Sequence, residues 1–122
     1  MIVEVEHFED GGKKMVNVPL VKSELKATLY EDDFNDLIGL GISPRWKLYH
    51  GQVVVRNNGR YIGVCRLIRH AGPDQRVVSK DDDGTNLRRD NLVLAPGPSR
   101  YDARSYVVRP FKDKTILEHI NA

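Results

Sequence analysis

Cysteine is almost absent from this 122-residue chain: Cys65 is the only one, which excludes an intramolecular disulfide and a zinc knuckle. Set in Val64-Cys65-Arg66-Leu67-Ile68, the lone thiol reads as a small core residue rather than a catalytic nucleophile. No run of about 18 apolar residues exists, so no membrane-spanning helix is expected. The opening, Met1-Ile2-Val3-Glu4-Val5-Glu6-His7, lacks the basic-then-apolar form of a signal peptide, which points to the cytoplasm. Internal repeats, low-complexity tracts and linkers are also missing, so residues 1–122 read as a single domain. The rest of the composition, 40% hydrophobic and 30% charged, is that of an ordinary globular chain with one core.

The net charge of +2 hides an asymmetry. Up to Val55, six basic residues face nine acidic ones, a balance of −3. From Arg56 to Lys112, twelve basic residues face six acidic ones, a balance of +6. A basic half of this kind is the electrostatic footprint expected for nucleic acid, against the plainer reading of a solvated basic face.

Periodicity gives an α+β chain: small antiparallel sheets with short helices. Residues Ile2 to Phe8 alternate as a strand does, Asp10-Gly11-Gly12 is a turn, and Met15 to Leu20 reads as the returning strand, with Pro19 at its edge or exit. Lys26 to Tyr30 is a further short strand. Glu31 to Ile38 carries apolar residues at helical spacing with acids in its first turn, where the helix dipole favours them, and Gly39 and Gly41 stop it. Trp46 to Tyr49, Val53 to Arg56 and Tyr61 to Val64 read as three strands, the last two joined by Asn57-Asn58-Gly59, a strong hairpin signal. Cys65 to His70 reads as a short helix. Residues 15–75 thus form a strand-and-helix part, and 107–122 a tail that closes the core or meets a partner.

The stretch between, Val77 to Leu92, runs V-V-S-K-D-D-D-G-T-N-L-R-R-D-N-L: a strand, a polar loop at Asp83-Gly84, and a return. Val93-Leu94-Ala95 follows as a second strand, and Ser99 offers an N-cap for a helix over Arg100 to Tyr106. In outline, residues 76–106 resemble the ββα-metal core of HNH endonucleases of the phage and intron branch. Val77, Arg88, Asn91 and Leu92 match that family's pattern. Earlier blocks match in order as well: Val18-Pro19-Leu20-Val21, Asp32-Asp33-Phe34, Trp46, Val55-Arg56…Gly59 and Cys65-Arg66-Leu67-Ile68. The resemblance covers roughly residues 15 to 106.

What it implies about chemistry is mostly loss. Such a nuclease needs a His to take a proton from water and a divalent metal to stabilise the leaving phosphate oxygen. The family's Asp-His pair falls on Val78 and Ser79, the Asn that orients the His on Leu87, and the helix's ligating positions on Ser99, Arg100 and Ala103. No catalytic residue is therefore assigned, and no cofactor is expected. Asp81 and Asp83 are weak metal candidates, either through a shorter loop that puts Asp81 in the His position or through a loose calcium-loop match over Ser79 to Asp90. His50 and His70 lie off the motif spacing.

The basic residues on or beside the motif remain: Arg66, Arg69, Arg76, Lys80, Arg88, Arg89, Arg100 and Arg104. The resemblance implies that they face a DNA backbone; the alternative is that they pair with the acidic loop and the acidic helix. The expected function is a catalytically inactive HNH-like domain binding duplex DNA through this face. A protein-binding inhibitor or adaptor on the same decayed scaffold, anti-CRISPR-like and docking through Asp81 to Asp83 or the tail, is the alternative. An active metal-dependent nuclease with a displaced site stands third.

Overall fold

Gly11 and Gly12 both take positive φ, 60° and 82°, the geometry of a tight hairpin turn that side chains resist. They join β1 (Glu6–Asp10) to β2 (Lys13–Pro19) in the computed structural model, which describes residues 3–98 and 103. The strands are antiparallel, with Glu6 opposite Asn17 and Asp10 opposite Lys13. β1 starts later than the alternation from Ile2 suggests. Continuing the register would soon bring the chain opposite Pro19, which has no N–H for a ladder; Val3 and Val5 pack on the core without one.

β2 is the middle strand of the first sheet and pairs on its other side with β3 (Lys26–Tyr30). Met15, Val16 and Val18 of β2, and Ala27 and Leu29 of β3, are buried. α1 (Glu31–Gly39) follows at once, with Glu31, Asp32 and Asp33 in its first turn. It buries Phe34 and Leu37. Phe34 meets Trp46 edge-on, ring centroids 5.9 Å apart. Trp46 is fully buried, and its Nε1–H donates to the Ser43 carbonyl at 2.8 Å, so the large ring is covered without orphaning its one donor.

The second sheet is a meander of β4 (Lys47–Tyr49), β5 (Gln52–Asn57) and β6 (Arg60–Gly63). Its two turns, His50-Gly51 and Asn58-Gly59, both hold φ between 50° and 79°, as two-residue hairpins require. α2 (Val64–Arg69) leaves β6 directly, buries Val64, Leu67 and Ile68, and ends at His70 in the left-handed conformation (φ 54°). β7 (Gln75–Ser79) and β8 (Leu92–Pro96) form a third, two-stranded antiparallel sheet, with Ser79 opposite Leu92 and Gln75 opposite Pro96.

One cluster of buried side chains draws on all three sheets and both helices, from Val16, Val18 and Leu29 through Phe34 and Trp46 to Val55, Ile68, Leu87, Leu92 and Ala103. The α+β architecture matches the sequence reading. Within residues 76–106 the described chain pairs β7 with β8; the helix expected from Ser99 and the tail from 107 lie outside the described residues. Among the described residues no helix is long and apolar enough to cross a membrane.

Candidate nucleic-acid interface

The connection between β7 and β8 is an ordered, side-chain-bonded loop. Lys80 N–H donates to the Asn91 carbonyl at 2.9 Å, continuing the hairpin one step. Asp81 and Asn91 then pair reciprocally: Asp81 N–H donates to Asn91 Oδ1, and Asn91 Nδ2 donates to Asp81 Oδ1 at 3.0 Å and to the Asn86 carbonyl at 2.9 Å. Asn86 Nδ2 donates to Asp81 Oδ2 at 2.8 Å, and this bond first, with the Asp83 amide and Asn91 after it, holds the Asp81 carboxyl below the usual carboxylate range. Asp83 accepts from the Thr85 amide and hydroxyl. The far side of the loop docks on β3, where Leu87 N–H donates to the Thr28 carbonyl at 2.7 Å and Thr28 N–H to the Thr85 carbonyl at 2.9 Å. A short 3-10 turn, Arg89–Asn91, leads into β8.

This arrangement changes the reading of several residues. The polar loop is bonded to itself, because Asp81 and Asp83, though exposed, turn oxygens onto the loop's own donors. Asp90, the last position of the calcium-loop template, instead accepts from the Tyr30 hydroxyl at 3.0 Å. Among the described residues no three His, Cys, Asp or Glu side chains are grouped to hold a metal ion. Leu87, where the resemblance would place an orienting Asn, is 2% exposed and belongs to the core.

The basic residues beside the motif divide. Arg66 donates from Nη1 to the Gln75 carbonyl at 2.5 Å and from Nη2 to the Gly72 carbonyl at 3.1 Å, tying α2 to the start of β7. Arg88 donates to Asn86 Oδ1 and forms an ion pair with Asp10 at 3.2 Å. Arg89 pairs with the buried Asp33 of α1 at 2.8 Å. Arg89 thus pairs with the acidic helix, as the alternative has it, whereas Arg88 pairs with Asp10 of β1, outside both the acidic loop and that helix. Arg69 is half-buried, with Nε shielded from solvent and without a hydrogen-bond partner among the described residues. Arg76 and Lys80 are exposed; Arg76 Nε donates to the Pro96 carbonyl at 3.2 Å, and its stem lies over Gly97, where a Cβ would come within 2.6 Å of Cδ. Arg100 and Arg104 lie outside the described residues.

A cleft of about 410 Å³ opens between the β4–β5 turn and this hairpin. It is lined by His50, Cys65, Arg76, Val78, Ser79 and Asp82, among others. The fold thus brings His50, distant in sequence, into the same cleft as Ser79. His70 goes elsewhere, to the end of α2 among Arg89, Asp33 and Asp36. Burial pushes the Cys65 thiol up, which keeps it protonated and unreactive at neutral pH.

A second concavity was not evident from the sequence. The β2–β3 turn, carrying Lys22 at φ 55°, docks on the start of β4 through Val21 N–H donating to the Trp46 carbonyl at 2.9 Å. That contact brings Lys22 beside Arg45, Lys47, Arg56 and Tyr61, in a cleft of about 580 Å³ with no acidic residue in its described lining. Lys47 Nζ stands 5.0 Å, and the Arg56 guanidinium 5.9 Å, from the Tyr61 ring centroid, within cation–π range. Summing charge over the N-terminal half conceals this cluster. The local signal is that no Asp or Glu occurs from Leu37 to Pro73, a span holding six cations.

No family model matches the chain, and no curated protein or solved structure matches it.

Proposed function

We propose that this chain is a non-catalytic nucleic-acid-binding domain on an HNH-like scaffold. The observation that carries the reading is the cleft where Lys22, Arg45, Lys47 and Arg56 converge without a carboxylate in its described lining. Cations gathered at one concavity suit a polyanion, and a phosphate backbone binds such a site with release of its counterions. Arg76 and Lys80 are further exposed cations, on the hairpin side, with Arg100 and Arg104 following in sequence.

The scaffold half of the proposal rests on the β7–loop–β8 hairpin and on what fills its key positions. Val78 and Ser79 stand where the resemblance puts a metal-binding Asp and a general base, and Leu87 is committed to the core. None of the three can take a proton from water at neutral pH. Duplex DNA is the partner that the resemblance favours.

A titration of labelled duplex DNA between about 50 and 200 mM salt, with and without magnesium, tests both halves. The expected result is binding that weakens steeply with salt while the DNA stays intact. Magnesium-dependent cleavage, abolished by His50→Ala or Asp81→Ala, would overturn the non-catalytic half. No binding at low salt would remove the nucleic-acid reading and leave the inhibitor alternative.

A further inference from the structure

Strand alternation gives the β4–β6 sheet two different faces. Leu48, Val53, Val55 and Ile62 join the core. The intervening residues Lys47, Tyr49, Gln52, Arg56 and Tyr61 therefore project from the opposite face. Tyr49 is 55% exposed and Tyr61 44%, among the most exposed large hydrophobic side chains described. Two exposed tyrosines on one short sheet are costly to hydrate and offer flat π surfaces.

Their placement follows from the register. Tyr49 is opposite Gln52, and Tyr61 is opposite Arg56. The two tyrosines sit on the outer strands and four β5 residues apart along the sheet, a diagonal of about 17 Å from ordinary strand spacing and rise. Between them in register Lys47 is opposite Val54, which is 7% exposed and pairs on its other side with Gly63. Lys22 and Arg45 flank the Tyr61 end of this diagonal.

We infer that this face binds single-stranded nucleic acid, with bases stacked on Tyr61 and Tyr49 and phosphates held by Lys22, Arg45, Lys47 and Arg56. Alternating aromatic and cationic groups along a track suits a strand whose bases are unpaired, because a duplex hides its base faces in its own stack. A protein partner matched to these cations would have to bring acids at the same spacing, whereas an extended single strand supplies a phosphate with every base. Lys47 and Arg56, held near the Tyr61 ring in the free protein, are poised to exchange that contact for a phosphate and to clear the ring for a base. Stacking on tyrosine tolerates any base, so little sequence preference is expected. The inference rests on the nucleic-acid reading above and narrows it to a substrate class and a surface.

The test is a parallel titration of a labelled oligothymidylate and a labelled duplex hairpin against the full chain and the variants Tyr61→Ala, Tyr61→Phe and Lys47→Glu. Thermal unfolding of each variant checks that these exposed substitutions leave the fold intact. The single strand is expected to bind more tightly than the duplex. Tyr61→Ala should weaken it about 5- to 150-fold, the range of one lost base stack. Tyr61→Phe should restore binding, because the ring alone is needed, and Lys47→Glu should weaken binding and flatten its salt dependence. Duplex binding without single-strand binding would overturn this inference and leave the broader reading standing, as would single-strand binding unchanged in Tyr61→Ala and Lys47→Glu. Binding to neither probe would remove both.

Discussion

Arg89 and Asp33 meet at 2.8 Å across 56 residues of chain, joining the turn before β8 to the first turn of α1. Asp33 is buried, and its Oδ2 has no hydrogen-bond partner among the described residues. Arg89 thus supplies the ion-pair partner of a buried acid. Removing one partner of such a pair costs more than removing both, because a desolvated charge is left behind. Arg89→Ala should destabilise the fold by about 2–4 kcal/mol in chemical denaturation, and adding Asp33→Asn should recover part of that loss. Additive losses in the double variant would show that the pair is not coupled.

Asn91 carries a comparable share of the loop. Its amide makes three hydrogen bonds from a buried position: one from the Asp81 amide, one to Asp81 Oδ1 and one to the Asn86 carbonyl. Asn91→Ala leaves the Asp81 amide and the Asn86 carbonyl unsatisfied. A loss of about 2–3 kcal/mol is expected, with faster amide hydrogen exchange confined to residues 80–91. Unchanged exchange in that segment would mean that docking on β3 alone orders it.

Gly84 shows how local chemistry can be read correctly for the wrong reason. Asp83-Gly84 marks a turn in the sequence, yet the glycine is also needed for close approach: a Cβ there would lie 1.8 Å from the Gly51 carbonyl oxygen. Backbone against backbone cannot yield as a flexible side chain can. Gly84→Ala should push the loop off the β4–β5 turn, lower the unfolding temperature and alter the cleft that holds His50. A crystal structure of Gly84→Ala with the loop unmoved would contradict this.

The contrast shows which parts of the protein are legible from the chain alone. Strands, turns and helices here are set by near neighbours: Gly11-Gly12 and Asn58-Gly59 specify their hairpins, and the acids before Phe34 specify a helix start. Their order and approximate bounds follow from alternation and spacing. The site is set by non-local contacts that no local pattern records. Arg88 and Arg89 look like free cations in the sequence because their partners, Asp10 and Asp33, lie in the acidic half. Conversely, Lys22 joins Arg45 and Lys47 only because the β2–β3 turn docks on Trp46. Charge summed by halves hides both facts, since the fold interleaves the halves.

His70 links the helix ends to pH. Partial burial, then the Arg89 charge, lower its pKa from 6.5, against the opposing pull of Asp33 and Asp36, while Arg69 adds to the lowering. A histidine whose pKa is lower in the folded than in the unfolded chain binds its proton more readily when unfolded. Its contribution to stability is therefore complete above the unfolded pKa and is lost as pH falls through about 6.5 towards the folded value. The denaturation midpoint should decline on going from about pH 7.5 to about pH 5. The substitution that isolates this effect is His70→Asn, since asparagine tolerates the left-handed backbone that His70 adopts at φ 54° while ending α2. The variant should keep most of the stability at neutral pH and show a shallower acid decline than the parent. Identical slopes would assign the pH dependence to other groups, such as Asp81, whose lowered pKa acts in the same direction at more acid pH.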